Sequence, residues 1–260
     1  MVTTILKVEH LEKVFGGLTA VADVSMQLKN DELVALIGPN GAGKTTLFNL
    51  LTGVIPPTAG MIYFREKEKL VSINNKKTYQ IADLGFARTF QNIRLFKNMT
   101  VLDNVLVAMT NQYKEGFIKS VLRFPSFYRT EDEILKKARD LLAIFDLDKD
   151  MYKLASNLPY GVQRRLEIVR GLAMKPKILF LDEPAAGMNP EETADLTRLI
   201  RQIQQQFHIT VLLIEHDMSL VMNLAQRIYV LDQGKLLAKG TPSEIQHDKS
   251  VIKAYLGEEG

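Results

Sequence analysis

Glu32 to Val54 reads ELVALIGPNGAGKTTLFNLLTGV, and its three textures decide the fold. ELVALIG is a short apolar run suited to a buried strand. KTTLFNLLTGV places Leu47, Leu50, Leu51 and Val54 at helical spacing, with Gly53 near the expected helix end. Between strand and helix lies GPNGAGKTT, Gly38 to Thr46, which fits the pattern G-x-x-x-x-G-K-[ST] in the context that pattern needs. A glycine-rich turn can bring backbone N–H groups close to an anion, and a helix N-terminus adds more of them. Lys44 is placed to neutralise the β- and γ-phosphates, and the Thr45 hydroxyl to meet Mg²⁺. Gly38, Asn40, Gly41, Ala42, Gly43, Lys44, Thr45 and Thr46 are therefore the candidate nucleotide contacts.

Upstream, ILKVEHLEKVF and AVADVSMQLKN alternate apolar and polar residues as half-buried strands do. Downstream, MIYFREKEKL and VSINNKK read as edge strands around a charged turn. From about Thr100 to Asp150 the texture is helical, with Ile134, Leu135, Ala138, Leu141, Leu142 and Phe145 forming one apolar stripe. Within it, NQYKEGFIKSVLRFPSFYRT mixes aromatic and basic residues and reads as a packed connection. KILFLD, TVLLIE and RIYVLD then alternate with the helical segments PEETADLTRLIRQIQQQF and MSLVMNLAQ. A hairpin turns at Gln233 and Gly234, and TPSEIQ carries the capping pattern of a last helix. Strands alternating with helices imply a mostly parallel sheet, with antiparallel strands on the N-terminal side.

Two apolar strands end in groups that can do chemistry. ILFLDEP closes on Asp182 and Glu183: a carboxylate at a strand's C-terminal edge beside a phosphate loop suits metal organisation, and its neighbour suits a base for water. TVLLIEHD carries His216 just beyond its end, where an imidazole can position attacking water. Among the four histidines, His216 alone stands in such a place.

The totals exclude several classes. With 260 residues, 46% of them hydrophobic and 24% charged, the chain has the composition of a globular domain with a sizeable core. No cysteine means no disulfide and no thiolate chemistry. A formal net charge of +3, with basic and acidic residues interleaved, gives no ground for a nucleic-acid partner. MVTTILKVEHLEKVFGG lacks the apolar core of a secretory signal, and no run approaches the ~18 apolar residues that span a bilayer. A role at a membrane would require a partner to hold the chain there.

These motifs together resemble the ATP-binding subunits of ABC transporters, over essentially the whole chain. GPNGAGKTT looks like the Walker A motif, ILFLDE like Walker B, Gln91 in RTFQN like the Q-loop glutamine, and His216 like the switch histidine. Phe15 stands where the family stacks an aromatic ring on adenine, with Val21 beside it among the nucleotide-binding positions. AAGMN occupies the D-loop, so that Ala186, Gly187, Met188 and Asn189 are expected there, with Asn189 where many members have Asp. The resemblance implies Mg²⁺ ligation through Thr45, Gln91 and Asp182, and catalysis by Glu183, His216 and Gln91.

LPYGVQRRLEIVRG, Leu158 to Gly171, lies where the family has its LSGGQ signature, which reaches across a dimer to the other subunit's γ-phosphate. No Ser, Thr, Asp or Asn stands at the expected helix cap. Pro159 replaces the serine, Tyr160 the first glycine and Val162 the glutamine, while Gly161 and Gln163 remain. Phosphate recognition by this segment would rest on backbone N–H groups.

The fold implied is α/β: a P-loop NTPase core of RecA type with a mostly parallel sheet, an N-terminal antiparallel β subdomain and an inserted α-helical subdomain. We expect one ATP-binding domain over 1–260, with the core in 1–90 and 165–260 and the helical part in 91–164. FGGLTAVADVS, ARTFQNIRLFKNMTVLDNVLVA, EPAAGMNPEET and the ending AYLGEE are similar to the LivG-type subunits of branched-chain amino-acid importers. That likeness implies ATP with Mg²⁺, and a second ATP-binding subunit of LivF type or an identical copy. It also implies two transmembrane permease subunits, an extracytoplasmic solute-binding protein, and a peripheral place on the cytoplasmic face of the membrane. Related importers for urea, amides or other amino acids remain alternatives, as does a soluble ATPase of the same fold. The latter usually carries a coiled-coil insertion or two ATPase units, and this chain shows neither.

Overall fold

The computed structural model describes residues 3–109 and 125–256, with the backbone alone for 125–131 and 256. Most of the basic aromatic stretch (111–124) and the last residues of AYLGEE (257–259) lie outside the described residues. The chain divides into two compact units, residues 1–88 with 177–260 and residues 89–176.

The first unit holds two sheets. Strands β1 (Thr4–Phe15), β2 (Leu18–Lys29), β4 (Ala59–Glu66) and β5 (Lys69–Ser72) form an antiparallel sheet in the order β2-β1-β4-β5. Strand β4 is thus interior, paired with β1 on one side and β5 on the other, so that of the two expected edge strands only β5 lies at an edge, while Ile62 and Phe64 of β4 are buried. VSINNKK leaves the sheet at Ser72: the Asn74 side chain accepts from the Ile62 N–H at 2.8 Å and donates to the Gly60 carbonyl at 2.9 Å, standing in for a ladder partner. A short helix, α2 (Thr78–Asp83), follows, which the sequence pattern did not announce.

The second sheet runs β10-β9-β3-β8-β7-β6, with β3 (Leu33–Ile37), β6 (Phe86–Arg88), β7 (Ile178–Asp182), β8 (Thr210–Ile214) and β9 (Arg227–Asp232) mutually parallel and β10 (Lys235–Gly240) antiparallel at one edge. Strands β3, β7 and β8 are buried along their whole length, as strands covered on both faces are. Helix α1 (Lys44–Leu51) buries Leu47, Phe48, Leu50 and Leu51. Its Phe48 meets Phe180 edge-on at 5.5 Å, Phe180 stacks on Phe86 at 5.5 Å, and Phe86 meets Phe64 at 4.9 Å. This run of rings joins α1 to both sheets in one core. The TPSEIQ segment forms a helix from Pro242 to Gln246, capped by Thr241 and Glu244 as its pattern requires, and a further helix follows from Lys249 to Leu256.

The second unit is helical, built on α3 (Val101–Met109), α4 (Pro125–Ile144) and α5 (Tyr160–Ala173). The expected stripe on α4 buries Ala138, Leu141 and Leu142, and Phe145 beyond its end. A boundary at 164 would cut α5 in two. The helix instead stays whole in this unit, because Arg164 and Glu167 bond to residues 90–94 of the same unit.

Candidate active site

In the first unit, β3, β7 and β8 are adjacent and parallel, so the loops after Ile37, Asp182 and Ile214 leave the same edge of the sheet. That edge is where α/β folds place ligands. The Gly38 to Gly43 loop is forced to be glycine-rich by its neighbours. A Cβ on Gly38 would lie 2.0 Å from the Leu231 carbonyl oxygen, and one on Gly43 would lie 2.3 Å from that of Ala20. The β9–β10 turn braces the loop from behind: Gly234 N–H donates to the Ala42 carbonyl at 3.0 Å, and Ala22 N–H to the Gly234 carbonyl at 2.7 Å.

Gly43 caps α1 in the left-handed region (φ 97°) and no side chain caps that helix, so its first N–H groups are not taken by a capping oxygen. Asn40, Gly41 and Thr45 are exposed along the lip, and Thr46 is half-buried. Lys44 is buried and folds back on its own loop, donating to the carbonyls of Gly38 at 2.7 Å and Pro39 at 2.9 Å. Burial pulls its ammonium below the ordinary lysine value, partly offset by the charge of Glu183. Val21 and Ala42, expected among the nucleotide contacts, are packed in the core, and Val21 has no exposed surface. Its side chain is therefore unavailable to adenine, a consequence of its place on the buried face of β2.

Phe15 ends β1 with 47% of its surface exposed and Lys13 Nζ 5.0 Å from its ring centroid. An exposed ring at a strand end suits stacking on a base. Phe15→Ala is expected to weaken nucleotide binding by about 1–3 kcal/mol, as loss of a base stack does, while hydrolysis at saturating ATP persists. A nucleotide titration checks it, and an unchanged Kd would remove Phe15 from the site.

Past β7, Asp182 is buried and Glu183 takes a left-handed backbone (φ 48°), an uncommon state for a non-glycine residue and one found at functional sites. Its N–H donates to the Ile214 carbonyl at 3.0 Å. The turn aims the Glu183 carboxylate across to β8, where Oε1 lies 2.8 Å from His216 Nε2. The His216 ring is partly exposed while Glu183 is largely enclosed.

Glu215, between the strand and that histidine, was not marked by the sequence pattern. It is buried, and its two oxygens accept from the N–H groups of Ala185 at 2.8 Å and His216 at 3.1 Å, fastening the segment that follows Glu183 to His216. The one available signal was an acidic residue directly after an apolar strand. Burial pushes the Glu215 carboxyl above its ordinary 4.5, against smaller opposing pulls from its backbone N–H partners. A raised folded value means that the folded chain holds this proton longer than the unfolded one. The group's contribution to stability is thus fully present below 4.5 and is lost as pH rises through the folded value. Glu215→Gln should remove that loss, so the wild-type Tm minus the variant Tm is expected to fall as pH rises. A difference flat with pH would contradict it.

In the segment expected to be the D-loop, Gly187 is left-handed (φ 78°) and the N–H groups of Ala186 and Met188 donate back to the carbonyls of Glu183 and Ala185. Asn189 caps the helix Pro190–Phe207 in a reciprocal box with Glu192, at 2.9 and 3.0 Å. Asn and Asp serve equally as caps, which accounts for Asn189 where Asp is common.

Gln91 and residues 159–163 belong to the second unit. Helix α5 begins at Tyr160, so the expected turn is already helix. Pro159 occupies the cap position without a side-chain bond, and Gly161 is buried in the first turn. Gln163 Nε2 donates to the Leu158 carbonyl at 2.8 Å, and Val162 is half-buried. Tyr160 is exposed, with its hydroxyl 3.2 Å from an amine of Arg164. Arg164 has no exposed surface: it donates to the carbonyls of Phe90 at 2.6 Å and Gln91 at 2.7 Å and pairs with Glu167 at 3.0 Å. Glu167 in turn accepts from the N–H groups of Phe90 and Arg94. The backbone around Gln91 is thereby fixed to α5, an arrangement that spacing alone did not reveal.

A family model described as ABC transporter matches residues 21–186, and one described as branched-chain amino acid ATP-binding cassette transporter matches 235–260. The chain is 50% identical over 254 residues, 98% of each protein, to the high-affinity branched-chain amino acid transport ATP-binding protein LivG of Salmonella typhimurium. It is 47% identical, with the same coverage, to BraF of Pseudomonas aeruginosa, which carries the same description. Among solved structures it is similar to the ADP conformation of an ATP-binding cassette of an ABC transporter, with TM-score 0.83, 31% identity and coverage of 98% of this chain and 100% of that one.

Proposed function

The chain belongs to the ABC transporter family of ATP-binding proteins, and from that premise we propose that it hydrolyses ATP to power uptake of branched-chain amino acids. The observation that carries the chemical part is the Glu183–His216 pair, 2.8 Å apart beyond two adjacent strands of the sheet that also bears the phosphate loop. The solute is supported by the names of LivG and BraF and by the match at 235–260.

Lys44 exchanges its loop carbonyls for the β- and γ-phosphates, which compete for its charge, while the loop N–H groups take their oxygens. Glu183 accepts the proton of the attacking water, and His216 holds that carboxylate in line. The Thr45 hydroxyl and the Asp182 carboxylate are oxygen donors of the kind Mg²⁺ prefers, and the fit is good for a cation that takes only one or two protein ligands and completes its shell with phosphate and water. Bound there, Mg²⁺ supplies charge neutralisation for the leaving phosphate. The first turn of α5, from Tyr160 to Val162, has no side-chain cap and offers its backbone N–H groups to the nucleotide of a second ATP-binding subunit.

Among the described residues no helix is long and apolar enough to cross a membrane, so attachment to permease subunits is the proposed route to the membrane's cytoplasmic face. Purification from native membranes tests this assembly. A second ATP-binding subunit and two permease chains should accompany the protein, whereas recovery with ribosomes or DNA-bound proteins would overturn the transport reading.

A further inference from the structure

Arg88 ends β6 with 10% of its side chain exposed. Its Nη1 donates to Asn49 Oδ1 at 2.7 Å and to Thr52 Oγ1 at 3.0 Å, which ties it to α1 and that helix's C-cap. Its Nη2 donates to Asp182 Oδ2 at 2.9 Å, and its guanidinium carbon lies 5.6 Å from the Phe48 ring centroid. The carboxylate at the end of β7 therefore carries a fixed cation, anchored to the helix that follows the phosphate loop.

We propose that Arg88 is the resident counter-charge of Asp182, a positioning residue that holds this carboxylate in one rotamer and sets how much Mg²⁺ is needed to bind with nucleotide. The proposal rests on the reading of Asp182 as the metal-organising carboxylate. A guanidinium 2.9 Å from the carboxylate opposes the entry of any further cation, because the charge there is already neutralised. Mg²⁺, with twice the charge, meets the same opposition. Asp182 thus stays paired and ordered before nucleotide arrives, and the metal binds with the phosphates, whose negative charge outweighs that of Arg88, and not by itself. A purely architectural ion pair would be an expensive choice here, since apolar replacements of buried pairs are often no less stable.

The test is a titration of ADP affinity against Mg²⁺ on the full chain, with a chelator series as baseline. Arg88→Gln removes the charge and keeps a polar side chain. It should need at least about tenfold less Mg²⁺ for the same gain in affinity, with metal-free affinity unchanged. Arg88→Met, whose length suits the contact with Phe48, gives the same readout if the glutamine variant does not fold. Arg88→Lys keeps the charge and should retain the wild-type requirement. Asp182→Asn separates the two readings. If it leaves the Mg²⁺ dependence intact, Asp182 is not the metal residue. If it abolishes that dependence while Arg88→Gln shows an unchanged or higher Mg²⁺ requirement, the role of Arg88 is overturned.

Discussion

Glu183→Gln is expected to lower ATP turnover at this chain's own phosphate loop by about a hundredfold to ten-thousandfold, the contribution of a positioned general base. The amide retains the shape of the side chain and can still meet His216, which lies 2.8 Å from Oε1, but it cannot accept the proton of attacking water. Nucleotide binding, which we propose rests on Lys44 and the loop N–H groups, should persist. An ATP-bound, closed pair of subunits should then accumulate. The check is single-site turnover in the assembled complex with the partner's base disabled. Turnover equal to wild type would show that another group takes the proton.

The second large effect lies in the other unit. Arg164→Met leaves Glu167 buried without this cation and removes the arginine's bonds to the carbonyls of Phe90 and Gln91. Breaking a buried pair from one side costs about 3–5 kcal/mol. Burial already pushes the Glu167 carboxyl above its ordinary value, with the pull of Arg164 among the forces restraining it. Removing Arg164 should therefore let Glu167 take up a proton as part of the response. Urea unfolding measures the loss. The double variant Arg164→Met with Glu167→Leu should recover only part of it, because the N–H groups of Phe90 and Arg94 still lose their acceptor. Full recovery would mean that the pair serves only itself.

What could be read in the sequence was what repeats with a period or ends an apolar run. Lys44, Asp182, Glu183 and His216 stood out because each closes or opens an element whose pattern is plain. Thr241 was visible as a cap for the same reason. Arg88, Arg164, Glu167 and Glu215 were not, since a buried polar residue is recognisable only by its partners, and most of these partners, side chains for Arg88 and largely backbone groups for the others, lie far away along the chain. The extent of the second unit is hidden for the same reason: the bonds that keep α5 whole join residues 164 and 167 to residues 90–94. The side of a strand is equally invisible without its neighbours, so that β4 read as an edge and Val21 as a nucleotide contact, although both are enclosed.

The tyrosine at position 160 illustrates a departure that the structure makes intelligible. A glycine there could not reach Arg164, whereas the Tyr160 hydroxyl lies 3.2 Å from it. The start of α5 thus gains a side-chain link to the same arginine that holds Gln91, while its own N–H groups stay without a side-chain cap.

The most direct measurement is uptake of labelled leucine into proteoliposomes that hold this chain with its permease subunits and second ATP-binding subunit, with the solute-binding protein outside and ATP within. The account predicts uptake that requires ATP and collapses when Glu183 is replaced by glutamine. Leucine uptake that proceeds equally without ATP, or an assembled complex that hydrolyses ATP yet accumulates no branched-chain amino acid, would contradict it.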